Sequence, residues 1–308
     1  MASKSLEQLL KSSLPLEQYV AEVAFENGLI SGGEFPYLRR TDAGVDAEFS
    51  VDVLATANYL PKLGADASIE VSALIECKYA SPSVEWIFST APNHDSPYYS
   101  SVSVFNWLSP YLLEDLKLLN QIEPSDYCIK GVSLSETSAD PKPIKHGLQQ
   151  LRHAIPCLLD RVTTLYTSIY DEHPIPVVAP MLVTNAPIRL LRVGITIDEI
   201  KQSNSIEDIT QPKDIVCCYQ PAGPELLEIC QAVSEKIAAK YGSGKAPHSS
   251  VSIFDDLVKS VESVPVISVK CLDAYLKGIR NAFTNTEATR AADFYAKYEA
   301  LGRQDNGT

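Results

Sequence analysis

The sequence predicts an α/β domain, a mixed central sheet flanked by helices, with one insertion and a helical C-terminal region. Three observations carry that prediction. Two segments alternate polar and apolar residues with period two, as half-buried strands do. Amphipathic helical stripes stand before and after them. A continuous apolar run follows, of the kind that fills a buried strand.

In chain order, a short helix is expected over 6–11. A second begins near Pro15, a residue suited to the first helical turn, and stops near Gly28. Residues 46–55 read as one strand, with Asp46, Glu48, Ser50 and Asp52 on one face and Ala47, Phe49, Val51 and Val53 on the other. A turn region with Pro61 and Gly64 leads to a second strand over 69–79. There Val71, Ala73, Ile75 and Cys77 share one face, and Leu74, Glu76 and Lys78 the other. Residues 81–143 read as an insertion, with a helix over 110–119. Over 144–162 the stripe Ile144, Leu148, Leu151, Ile155, Leu158, Val162 marks a helix, which Pro156 should kink or end. Ile175–Thr184 is a buried strand that Asn185-Ala186-Pro187 ends, and 188–193 continues the sheet. Cys217-Cys218 lie in a buried strand, and Pro224–Tyr241 is an amphipathic helix. Residues 1–241 thus form the α/β domain, 242–250 a linker, and 251–308 a mainly helical region with one apolar run at 264–269.

Composition narrows the function. The 308 residues are 45% hydrophobic and 21% charged, so a sizeable core is available. Seven scattered Cys with no C-x-x-C pair exclude zinc-ribbon spacing and point to core thiols in a reducing compartment. The first residues lack the apolar run of a signal peptide, and no stretch reaches the roughly 18 apolar residues of a membrane span. A cytoplasmic protein is expected. The net charge of −13 opposes broad phosphate binding, so a local basic strip or a protein partner must supply nucleic-acid contacts. The candidates for that strip are Arg39-Arg40 and the group Lys142, Lys145, Arg152.

Asp52 on the first strand, with Glu76 and Lys78 two apart on the second, would place two carboxylates and an ammonium on one sheet face. Oxygen ligands of that kind suit Mg²⁺ or Mn²⁺ against a phosphate, and a lysine beside them can steady developing charge. The segments Val51-Asp52-Val53-Leu54-Ala55 and Leu74-Ile75-Glu76-Cys77-Lys78-Tyr79 resemble the PD-(D/E)XK signature of restriction-endonuclease-like nucleases. Val51 stands where the family name has proline. The resemblance covers roughly residues 15–195. It implies a restriction-endonuclease-like fold and a metal-dependent nuclease, a DNA endonuclease of a restriction or phage-defence system. It also implies that Asp52 and Glu76 bind the metal and that Lys78 assists hydrolysis. A carboxylate from the first core helix is often added, for which Glu22 is the candidate and Glu26 the reserve. A polar residue from the helix after the second motif strand falls on Gln149 or Gln150. Asp46 rivals Asp52, because Asp42-Ala-Gly-Val-Asp46 resembles an Asp-x-Gly-Val-Asp element of some type IV restriction nucleases. The competing reading is a catalytically silent nuclease-like fold serving as an interaction module.

Other features read more plainly. His146 and His153 fit a solvated helix face. Gly242-Ser-Gly-Lys245 lacks Walker spacing. Trp86, Tyr98, Tyr99 and Trp107 fit core packing better than base stacking.

Overall fold

The computed structural model describes residues 4–40, 44–59, 69–90, 105–106, 126–169, 175–241 and 250–285. The expected helix over 110–119, residues 242–249 of the linker with their Gly-Ser-Gly-Lys, and Tyr98, Tyr99 and Trp107 lie outside these.

A mixed sheet forms the middle layer. Its path begins with β1 (Ile30–Ser31), β4 (Val53–Tyr59), β5 (Ile69–Lys78), β10 (Ile175–Thr184) and β14 (Ser263–Ser268). It continues through β13 (Ile215–Tyr219), β8 (Asp126–Leu134), β6 (Glu85–Thr90), β11 (Ile188–Leu191) and β12 (Thr210–Lys213). Short strands β7 (Phe105–Asn106) and β9 (Ala139–Asp140) pair with β10 and β8. A separate hairpin joins β2 (Phe35–Arg40) to β3 (Asp46–Val51).

Helices cover both faces. α2 (Leu14–Glu26), preceded by α1 (Lys4–Lys11), packs with α7 (Leu272–Asn285) over β4, β5 and β10. α3 (Lys142–Ile169), α5 (Pro224–Tyr241) and α6 (Ser250–Glu262) pack on the opposite face, and a short α4 (Ile197–Gln202) stands outside both layers. Alternation along β5 explains the two cores. Val71, Ala73, Ile75 and Cys77 enter the α2 side, whereas Leu74 enters the α3 side. At the end of α2, Asn27 donates from Nδ2 to the Val23 carbonyl at 2.9 Å, and Gly28 at φ 83° turns the chain out of the helix.

Residues 81–143, read as an insertion, supply β6 and β8 to the main sheet, and three further elements differ from the sequence reading. The strand expected over 46–55 is two strands. β3 pairs with β2, β4 pairs with β5, and the chain changes partner at Asp52. Val51 therefore joins the α3-side core and Val53 the α2-side core. Period-two patterning persists on both sides of such a break, so it does not mark it. Second, α3 runs through Pro156 without ending. The proline removes one backbone donor, but Leu151, Ile155, Leu158, Leu159 and Val162 are buried on both sides of it and hold the helix down. Third, the apolar run within the expected helical tail is β14, fully buried between β10 and β13. β14 thus belongs to the main sheet, with α6 and α7 packed on its two faces.

Arg152 was one of the candidate basic-strip residues, and the structure buries it. Its guanidinium donates to the carbonyls of Val261 (2.6 Å), Gln220 (2.8 Å) and Pro221 (2.9 Å) and to Gln220 Oε1 (3.0 Å). It ties α3 to the loop after β13 and to the end of α6, and four of its five donors are spent on these contacts inside the fold. Trp86 is likewise core, 1% exposed and edge-on to Phe88. Among the described residues no helix is long and apolar enough to cross a membrane.

Candidate active site

The break at Asp52 sets up the site. The last β4–β5 pair is Val53 with Ile75. One step further the ladder lacks a backbone partner, and the Asp52 carboxylate takes its place. Its Oδ2 accepts the Cys77 N–H at 2.7 Å. A side chain that completes a ladder in this way is fixed in position, and here it is fixed against the strand that carries Glu76 and Lys78.

Glu76 is fully buried at 0% exposure. Its Oε1 accepts from the Lys78 ammonium, and among the described residues its Oε2 has no hydrogen-bond partner. Lys78 also donates to Gln150 Oε1 at 3.2 Å, and Gln150 donates from Nε2 to the Ser50 carbonyl at 2.9 Å. Of the two glutamines considered from sequence, Gln150 is the one that reaches the site. It clamps α3 to the end of β3 and holds the lysine head. Gly147, one turn earlier on α3, lets the helix lie close on β10: a Cβ there would stand 2.6 Å from Leu182 Cδ1, while Lys78 Cε would remain in ordinary contact at 3.4 Å.

The electrostatics follow from burial and crowding. Burial first, and the Asp52 charge second, push the Glu76 carboxyl up to about 8, against the pull of Lys78. Asp52 is raised by burial, with the Cys77 N–H and Lys78 pulling it down and the charges of Glu17 and Glu34 pushing it up. Two acids and one cation thus share a site that water reaches only in part.

The remaining sequence candidates fall outside. Asp46 and Glu48 are exposed on the separate β2–β3 hairpin, so Asp52 is the acid of that segment beside Glu76. Glu22 and Glu26 are exposed on α2, and Glu22 accepts from Gln18 at 2.9 Å. The α2 carboxylate whose charge reaches Asp52 is instead Glu17. At 3.6 residues per turn Glu17 stands about 140° around the helix from Glu22. The buried stripe Leu16, Val20, Val23, Ala24 was the signal for which acid would lean inward. Glu34, in the loop that enters β2, and Tyr37 on β2 were also missed. Tyr37 is 5% exposed, its hydroxyl has no partner, and it lies close enough to Glu76 to feel that charge. Neither carries a local pattern, because the hairpin's placement decides their proximity. His146 is exposed, and His153 Nδ1 lies 3.0 Å from the Gln149 carbonyl.

The donor set bears on which metal could be held. Among the described residues no three Asp, Glu, His or Cys side chains converge to hold an ion. Two carboxylates, one with an unpartnered buried oxygen, fit a hard cation that keeps several waters and takes one or two carboxylates plus phosphate. They do not fit zinc, which wants three or four protein ligands. Compared with known proteins, the chain matches no family model, no curated sequence and no solved structure.

Proposed function

We propose that this protein is a metal-dependent nuclease of the restriction-endonuclease-like kind, a DNA endonuclease that hydrolyses phosphodiester bonds. The observation that carries the reading is Glu76: a wholly buried carboxylate with one free oxygen, set between Asp52 and Lys78 where two strands part. An acid with one oxygen left unsatisfied is costly to bury even beside a cation, and such clusters are a mark of chemistry. Asp52 and Glu76 would hold Mg²⁺ or Mn²⁺, which supplies Lewis acidity toward a phosphate oxygen and a more acidic bound water. Lys78 places an ammonium beside the same spot, where it can orient the attacking water or steady charge on the phosphate. Gln150 fixes that ammonium by accepting from it. The acidic balance of the whole chain makes a protein partner a natural source of further DNA contacts, and a restriction or phage-defence role suits such an enzyme.

The test is cleavage of supercoiled plasmid and of single strands with Mg²⁺ or Mn²⁺, wild type beside Glu76→Ala. Cleavage is expected only in the wild type and only without EDTA. Robust cleavage in EDTA, or by Glu76→Ala, ends this assignment. A second reading has its own support. Asp52 already completes the β5 ladder and Lys78 already pairs Glu76, so the trio could serve an interaction module without catalysis. That reading gains if the wild type binds no Mn²⁺ and cuts no substrate.

A further inference from the structure

A second feature flanks the same helix. A half-open cleft of about 710 Å³ lies under the first turns of α3. Phe88, Ile129, Val132, Ile144, Leu148 and Cys218 make its walls largely apolar, and Lys130 and Lys145 also line it. Among the described residues neither lysine has a carboxylate within ion-pair reach, and the same holds for Lys142 nearby. Most other described cations near this part of the fold are engaged: Lys78 by Glu76, Arg189 by Glu85 and Glu207, Lys213 by Asp126, Arg152 by carbonyls. On a chain of net charge −13, Lys130 on β8 with Lys142 and Lys145 at the start of α3 make a local surplus of positive charge, offset in part by Asp140, whose carboxylate accepts the Lys142 N–H at 2.9 Å.

The cleft and the candidate active site stand on opposite flanks of α3. Ile144, Lys145 and Leu148 descend into the cleft, whereas Gly147 and Gln150 descend to Lys78. Lys142 and His146 lie exposed on the ridge between. The two places are one helix diameter apart, about 10–12 Å.

Resting on the nuclease reading, we propose that this cleft is a substrate subsite for single-stranded DNA. It takes an unstacked base a few nucleotides from the phosphate at Lys78, with Lys130, Lys142 and Lys145 on the intervening phosphates. A duplex presents phosphates and sugars outward and has nothing apolar to offer such a cleft. An unpaired base has an apolar face, and single-strand binders combine base platforms with cationic rims. Gln220, held through Oε1 by Arg152, keeps its amide NH₂ to donate to a base edge in the cleft.

The experiment measures binding in EDTA, so that no cleavage intervenes. Fluorescence anisotropy of labelled dT12, a 12-bp duplex and U12 is read against wild type, Lys130→Ala/Lys145→Ala and Ile129→Glu, the last an exposed position on the cleft wall. The single DNA strand is expected to bind at least tenfold tighter than the duplex. The lysine pair variant should lower the slope of log K against log salt by about 1.4, at about 0.7 per phosphate contact. Ile129→Glu should weaken dT12 at least fivefold. Duplex binding as tight as dT12, tighter binding of U12, or variants without effect overturns the proposal. So does a self-associating dimer that Ile129→Glu dissolves, because a second copy then fills the cleft. Binding of dT12 that obeys these expectations, with no cleavage in Mn²⁺, supports the subsite and removes the hydrolytic reading.

Discussion

Strand β5 carries two buried acids on the same face, and they teach different things. Glu76 lies near its C-terminal end and Glu70 near its start. Both are nearly or wholly buried, at 0% and 6% exposure, and among the described residues each leaves its Oε2 without a partner. Burial pushes both carboxyls up, to about 8 and about 7. Glu76, however, has Asp52, Lys78 and Gln150 around it, whereas Glu70 has only the Ser72 side chain. A raised proton affinity is therefore no signature of a site by itself. The second acid and the cation beside Glu76 distinguish the two.

The comparison sharpens first on cleavage. Glu76→Gln should lower plasmid cleavage on the order of 10³-fold or more, since a lost metal ligand removes several kcal/mol of charge stabilisation. Glu70→Gln should leave cleavage within about twofold; equal losses would mean that both acids serve one structural purpose. Lys78→Ala comes next. Its turnover should fall by roughly 10²–10³-fold, the scale of losing one charge-stabilising group. Calorimetry should still show Mn²⁺ binding, because a protonated lysine is not a ligand.

Proton linkage gives a smaller and more diagnostic pair of effects. Mn²⁺ must displace the proton that Glu76 holds up to about pH 8, so Mn²⁺ affinity should rise between pH 6 and 8 by at most tenfold per unit. A flat profile over that range would remove Glu76 from the ligand set. For stability the sign runs the other way. Both acids bind a proton more tightly in the folded state than their ordinary 4.5. Their favourable contribution is complete below about pH 4.5 and is lost as pH rises through about 7 for Glu70 and about 8 for Glu76. Glu70→Gln should therefore stabilise the protein at pH 8, by about 1–3 kcal/mol in urea melts. The gain should fade toward pH 4.5, and a loss of stability at pH 8 would show that Glu70 has an ionised role. The smallest effect concerns α2. Glu17→Gln should change Mn²⁺ affinity by about two- to fivefold at low salt, as a charge near the ligands but outside them would. Glu22→Gln should change nothing, and the reverse result would restore Glu22 as the helix acid.

The trio was legible because strands write their faces directly into sequence. Glu76 and Lys78 alternate with Ile75 and Cys77, and nothing in the fold overrides that spacing. The place where Asp52 leaves one partner strand for another was not legible, because both partners accept the same alternation. The choice of Glu17 over Glu22 was readable in principle from the buried stripe of α2. Glu34 and Tyr37 were not readable, since their nearness to Asp52 and Glu76 comes from a hairpin packed from outside the sheet. The long helix hid its continuity behind Pro156. The strand at Ser263–Ser268 was hidden by length: a short, mostly apolar run among helices looks alike as core helix or core strand.

That late strand has a consequence for how the chain is made. Among the described residues β14 is the only strand that bridges the half-sheet holding Asp52, Glu76 and Lys78 to the half that ends in β12. Until residues 263–268 leave the ribosome, β10 and β13 each keep an open edge, and the halves cannot be zipped together. At roughly 5–20 residues per second, several seconds separate the emergence of β13 from that of β14. Through that interval the nascent protein exposes two edges open to pairing with other chains. The halves are sealed only when a segment nearly 200 residues downstream of Glu76 arrives between them.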